Sequence, residues 1–173
     1  TITRGTNVAL VYDSKRDVTI MFGGTTAYST TPRPNTFAFS YGNWSFPDDL
    51  SSPGPRSLVA MAADPNAKVV YLLGGLNDFD AFTDFWKLED GLWRQIVVED
   101  GPDCGTPTAS FDTDRNRLVA VCIDGSTFEF DGEAWKAFPE LKPKPAPRRF
   151  SSMVYDQNIK KTVLFGGYDA TGV

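Results

Sequence analysis

The sequence predicts an all-β protein built from repeated four-stranded antiparallel units, and three observations support this fold class. A short apolar run ending in Asp is followed five to seven residues later by a second apolar run, four times along the chain. In three of these copies a Gly-Gly pair starts ten residues after the Asp, and a Trp follows the first three copies. Recurrence at intervals of 44 to 51 residues indicates a stacked array of one supersecondary unit. The copies are Val8–Asp13, Leu58–Asp64, Thr108–Asp112 and Ser152–Asp156.

The first two strands of each unit, called A and B, are predicted by these paired apolar runs. In the first copy an apolar run over residues 8–12 is followed by the polar turn Ser14–Asp17 and then by Val18–Phe22. Two apolar runs joined by a short polar turn are typical of an antiparallel hairpin. The Gly-Gly pair that follows allows a tight backbone turn where a Cβ atom would not fit.

Strands C and D are predicted around each Trp. Before Trp44, Phe37 and Phe39 alternate with polar or small residues, which gives one apolar face at the period of a strand. A Gly-containing tight turn follows, and the Trp opens strand D, where we expect it to lie between adjacent units. We expect about fourteen strands, in units that cover approximately residues 4–47, 56–98 and 107–139, with a half unit at 148–167.

A four-stranded unit repeated at this period is typical of a β-propeller blade. Its details resemble kelch repeats, the type also seen in the central domain of galactose oxidase, and the resemblance covers nearly the whole chain. We therefore expect a kelch-type β-propeller with about three and a half blades of a six- or seven-bladed ring. The matching elements include Pro55-Arg56, Met61, Asp64, Leu73-Gly74-Gly75, Asp84-Phe85-Trp86, Asp90-Gly91 and Trp93, and then Pro147-Arg148, Met153 to Asp156 and Phe165-Gly166-Gly167.

The fourth copy has strands A and B without the C strand and Trp that follow them elsewhere. Its unpaired strand edge and the apolar faces of the outer blades would meet water, and such features invite pairing or mark interfaces. We expect another polypeptide to complete the propeller, either the other fragment of a split precursor or a second copy of the chain.

The composition excludes several functions. The net charge is −5, so neither the basic footprint of a nucleic-acid-binding protein nor a polybasic membrane segment is present. The chain has no histidine, which removes Ser-His and Cys-His catalysis, histidine-bound metals and galactose-oxidase-like copper chemistry. We expect a protein without a cofactor, without membrane insertion and without catalytic activity of its own.

The two cysteines, Cys104 and Cys122, fall toward the same end of the third hairpin. A small curl in the chain after Cys104 would bring their Cα atoms within the distance that a disulfide needs. The alternative, two free thiols, remains open from the sequence.

Strand direction alternates within a unit, so the long B–C and D–A loops share one face, and loops on a rigid scaffold commonly carry function. By resemblance to kelch proteins that recruit partners, Arg56 and Arg148 match positions that meet a ligand; the alternative is that they brace neighbouring acidic loops. Three aspartates in one loop offer oxygen ligands for Ca²⁺, although an acidic, solvated loop has the same composition. The candidate ligand-binding residues are Arg56, Arg148, Arg149, Tyr28, Asn77, Asp78, Phe79, Asp80 and Tyr168, with Arg4 and Arg33 on the same face; the calcium candidates are Asp78, Asp80 and Asp84.

Three functions follow from this organisation. The first is a non-catalytic binding module that recognises a protein, peptide or glycan through the long loops. The second is part of a carboxylate-based glycosidase or lyase whose catalytic residues lie mostly outside this chain. The third is a structural part of an assembly, and fold alone does not separate them.

Overall fold

The computed structural model describes residues 5–26, 31–32, 35–46, 52–139 and 141–169. Within these ranges the regular structure consists of β-strands, with no helix, which confirms the all-β prediction. The described residues accordingly contain no helix of the length and hydropathy needed to cross a membrane.

Three four-stranded sheets follow one another along the chain, and in each the strands pair antiparallel in chain order. This confirms the predicted four-stranded antiparallel unit and is consistent with a β-propeller-like blade arrangement.

A short pair, β1 (Gly5–Thr6) with β4 (Thr25–Thr26), was not predicted. The first sheet comprises β2 (Ala9–Asp13), β3 (Val18–Phe22), β5 (Thr36–Ser40) and β6 (Asn43–Ser45). The second comprises β7 (Ala60–Asp64), β8 (Val69–Leu73), β9 (Phe85–Glu89) and β10 (Leu92–Ile96). The third comprises β11 (Thr108–Asp112), β12 (Arg117–Val121), β13 (Thr127–Phe130) and β14 (Trp135–Ala137).

The fourth sheet has two described strands, β15 (Arg149–Asp156) and β16 (Lys161–Tyr168), which pair antiparallel. Strand β15 packs beside β11 of the third sheet. Desolvation, followed by the charges of Asp112 and Asp114 across this contact, raises the pKa of Tyr155 to about 12. Its hydroxyl therefore stays protonated over the ordinary pH range.

The Asp that ends the first strand of each sheet stabilises the turn that follows. In the second sheet Asp64 Oδ1 accepts hydrogen bonds from the backbone N–H groups of Asn66, at 2.8 Å, and Ala67, at 3.1 Å. The same two-bond pattern recurs at Asp13, Asp112 and Asp156. A short acceptor side chain at this position pairs with two backbone N–H groups of the turn and so stabilises its conformation, which explains why Asp recurs there.

Apolar side chains and Trp residues join successive sheets. Trp93 is buried against the first sheet: its ring centroid lies 5.6 Å from that of Phe22, and its Nε1 donates to Thr36 Oγ1 at 2.9 Å. Trp135 packs in the same way on Phe85 of the second sheet. Trp44 differs, because it is partly exposed and contacts phenylalanines of its own sheet, with no described sheet on its other side.

The two outermost sheets each present an apolar face to solvent. In the fourth sheet Val154 and Phe165 are exposed, the latter 78%, whereas the equivalent residues of the second sheet, Ala62 and Leu73, are buried against the third sheet. On the first sheet Leu10 and Tyr12 are also exposed. These faces have the same composition as the faces that pack between sheets, so they suit further sheets of the same kind.

Candidate functional site

The turns and loops separate onto two ends of the sheets. A–B and C–D turns share one end, where Arg16 lies 4.0 Å from Asp90 of the next sheet. B–C and D–A segments share the other end, where Gly24 N–H donates to Arg56 O at 3.0 Å. We call these the lower face and the upper face, and the candidate ligand-binding residues that the structure describes lie on or next to the upper face.

Among the described residues, the most exposed aromatic side chain of the upper face is Phe79, in the B–C loop of the second sheet. Asn77 Oδ1 accepts hydrogen bonds from the N–H groups of Phe79, at 2.8 Å, and Asp80, at 2.6 Å. A backbone hydrogen bond from Asn77 N–H to Asp80 O closes the turn at 3.0 Å. The turn therefore holds Phe79, 91% exposed, between the exposed carboxylates of Asp78 and Asp80.

Arg56 is not available to a ligand. It is 2% exposed, and its guanidinium pairs with the Asp84 carboxylate, including an Nη2–Oδ2 hydrogen bond of 3.1 Å. Nη1 also donates to Gly74 O at 3.1 Å, and the Phe82 ring centroid lies 3.9 Å from the guanidinium carbon. Of the two roles that the sequence left open for Arg56, these contacts favour the alternative, in which the side chain braces the B–C loop.

Asp84, one of the three calcium candidates, is already engaged by other side chains. The Asp84 carboxylate that Arg56 holds also accepts a hydrogen bond from Trp86 Nε1 at 2.6 Å, so it is not free to join Asp78 and Asp80. Among the described residues no three His, Cys, Asp or Glu side chains are grouped closely enough to hold a metal ion.

Arg148 repeats only part of the arrangement of Arg56. Its Nε donates to Ala146 O and its Nη1 to Gly166 O, both at 3.1 Å, as Arg56 donates to Gly54 O and Gly74 O. Unlike Arg56, it is only half-buried and forms no salt bridge with any carboxylate in the described part of the chain.

Arg149 is exposed and pairs through its backbone with Tyr168, whose ring centroid lies 5.5 Å from that of Phe150. A groove of about 350 Å³ runs along the first strands of the four sheets. It brings Arg148 and Arg149 together, whereas the Asn77–Asp80 turn and Tyr168 lie outside it. Phe150 also lines the groove and was missed, although it follows the two arginines directly. Its φ of 57° is uncommon for a bulky residue and gave no signal in the sequence.

Cys104 and Cys122 form a disulfide with a Cα–Cα distance of 5.9 Å. It lies beside the short B–C connection of the third sheet, where Cys122 N–H donates to Ser126 O at 2.9 Å. Hydrogen bonds from the hydroxyl and backbone N–H of Ser126 lower the pKa of Asp124 in this turn. Three further candidates, Tyr28, Arg4 and Arg33, fall outside the described residues.

Comparison with known proteins gives no family for this chain: no family model matches it, and no curated protein matches it. The upper face offers an exposed aromatic ring beside two carboxylates, and a groove whose lining residues include Arg148 and Arg149. These groups suit recognition by stacking, hydrogen bonding and charge.

Proposed function

We propose that the four sheets are successive blades of a kelch-type β-propeller, and that the protein is a non-catalytic binding module. The A–B–C–D strand pairing and the Trp side chains between sheets support this proposal. The apolar outer faces, exposed at Leu10 and Phe165, support further blades beside the first and fourth sheets, in a ring of six or seven.

The observation that carries the binding role is the Asn77–Asp80 turn. A hydrogen-bonded turn fixes the backbone that presents the Phe79 ring, so the loop itself needs little ordering on binding, and aromatic residues are common binding hot spots. The carboxylates of Asp78 and Asp80 can accept hydrogen bonds from the amines of a protein or peptide, or from the hydroxyls of a glycan. Arg149 and Tyr168 extend the same face toward the fourth sheet.

The test is a screen of the immobilised chain against a displayed peptide library and a glycan panel. We expect the selected ligands to bind Phe79→Ala at least about tenfold more weakly, because a hot-spot truncation commonly has an effect of that size. Tyr41→Ala removes an equally exposed aromatic, 89% exposed, from the lower face and should leave binding unchanged. Ligands that ignore Phe79→Ala but respond to Tyr41→Ala would contradict the proposed binding face.

A further inference from the structure

In the first three sheets a third strand covers the outer edge of the second strand, and β16 is the second strand of the fourth sheet. In the second sheet, β9 pairs with β8, Leu73 lies opposite Phe85, and Gly74 N–H donates to Asp84 O at 3.2 Å. Strand β16 pairs with β15 alone among the described residues. Its outward N–H and C=O groups are therefore open to an added strand.

Arg148 lies at the outer edge of β16 in the position that Arg56 has at the edge of β8, which β9 covers. Both arginines precede the turn Asp of their sheet by eight residues, and both donate from Nη1 to a carbonyl 18 residues later. In the second sheet the arriving strand places Asp84 against the guanidinium. Arg148 has its two backbone contacts but not this carboxylate within the described residues.

The other two sheets indicate that the acidic residue accompanies the arginine. The residue that pairs at this point is Asn35 in the first sheet, where Gly23 N–H donates to its carbonyl at 3.2 Å. It is Ser126 in the third sheet, where Cys104 occupies the position of the arginine. The residue that pairs with the end of strand B is therefore neutral in the two sheets where no arginine is described before strand A. It is acidic in the second sheet, where Arg56 is present.

We propose, on the basis of the blade arrangement proposed above, that the β16 edge binds an antiparallel strand that carries Asp or Glu opposite Gly166. Arg148 binds that carboxylate, as Arg56 binds Asp84. The next residue of the strand is aromatic or aliphatic and lies opposite Phe165, as Phe85 lies opposite Leu73. Charge and backbone pairing together set the register of the incoming strand.

The test uses a fluorescein-labelled peptide with the sequence of residues 83–97, the C–D hairpin of the second sheet, added to the full chain. We expect saturable binding by fluorescence anisotropy, with slower amide exchange at Leu164 and Gly166. An Asp84→Asn peptide should bind about tenfold or more weakly, because it loses a charge-assisted contact. Arg148→Ala should weaken the original peptide similarly, and the two changes together should weaken binding no further than either alone.

Arg149→Ala is the matched control: it removes a neighbouring positive charge and should leave the difference between the two peptides intact. If the original peptide and the Asp84→Asn peptide bind equally well, the role assigned to Arg148 is wrong. This comparison uses the wild-type chain, so it does not depend on a variant that folds. Absence of saturable binding would overturn the strand-acceptor edge itself. If the chain instead forms a dimer that the peptide cannot dissociate, a second copy of the chain occupies the edge. That result would contradict the proposed acidic strand. Phe79→Ala should bind the peptide normally, so failure here is distinguishable from failure of the upper-face binding role.

Discussion

Arg56 and Cys104 occupy the same position in successive sheets, eight residues before the Asp that ends the first strand. Arg56 Nη1 donates to Gly74 O across 18 residues, and Cys104 is bonded to Cys122 across the same interval. The link at Arg56 is a charged hydrogen-bond network, and the link at Cys104 is a covalent bond. Both tie the segment before strand A to the end of strand B at the upper face.

Removal of the disulfide tests how much the covalent link contributes to stability. We expect the Cys104→Ser/Cys122→Ser variant to lose about 2–4 kcal/mol of unfolding free energy, because the bond restricts the unfolded chain. Urea denaturation of both proteins gives this difference. A reductant should lower the midpoint of the wild-type protein and leave that of the variant unchanged; an unchanged wild-type midpoint would show that the disulfide contributes nothing.

The Arg56–Asp84 pair should contribute strongly to stability. Asp84→Asn leaves the Arg56 guanidinium buried without its counter-charge, a change that commonly costs about 3–5 kcal/mol. Arg148→Ala is the internal comparison, since Arg148 is only half-buried and pairs with no described carboxylate; we expect a loss below about 1 kcal/mol. Chemical denaturation distinguishes the two, and equal losses would contradict the bracing role given to Arg56.

The hydrogen bond from Trp93 to Thr36 joins the first two sheets and gives a third prediction. Thr36→Val keeps the shape of the side chain but removes the hydroxyl acceptor that lies 2.9 Å from the buried indole Nε1, which should cost about 1 kcal/mol. Trp44→Phe, at a partly exposed ring, should change stability by about 0.5 kcal/mol or less. If the two variants unfold at the same denaturant concentration, the Trp93 contact does not join the sheets in the way described.

The repeat could be predicted from the sequence because its signals are local. The two backbone N–H groups that donate hydrogen bonds to Asp64 lie within three residues after it, so the turn is encoded in one short segment. The same holds for the apolar alternation around Trp93. These short-range requirements recur in each unit, which made the strands readable without any structure.

The roles of the arginines could not be predicted in the same way. Arg56 meets Asp84 across 28 residues of chain, and only the pairing of β8 with β9 brings them together. The sequence placed Arg56 and Arg148 at equivalent positions, but which of them is buried depends on whether a third strand covers the sheet edge. Phe150 was missed because its left-handed backbone conformation is unusual for a phenylalanine.

The turn aspartate of the third sheet gives a pH-dependent prediction. Burial acts to raise the pKa of Asp112, but hydrogen bonds from the backbone and side chain of Arg115, and its positive charge, outweigh burial and lower the pKa below its ordinary value. A lowered pKa in the folded state gives stability that is present above the unfolded pKa of about 3.9. That stability is lost as the pH falls through the lower folded value.

We therefore expect Asp112→Asn to be less stable than the wild-type protein by about 1–2 kcal/mol at pH 7, the contribution of a hydrogen-bonded charge. The difference should shrink as the pH falls below about 4, where the carboxyl group of the unfolded wild-type chain becomes protonated. Urea denaturation at intervals from pH 7 to pH 2 measures it. Asp156→Asn, in a turn with the same backbone contacts but no ion pair to an arginine among the described residues, should cost less at pH 7. A difference for Asp112→Asn that stays constant across the whole range would show that the Arg115 contact does not favour the ionised carboxylate.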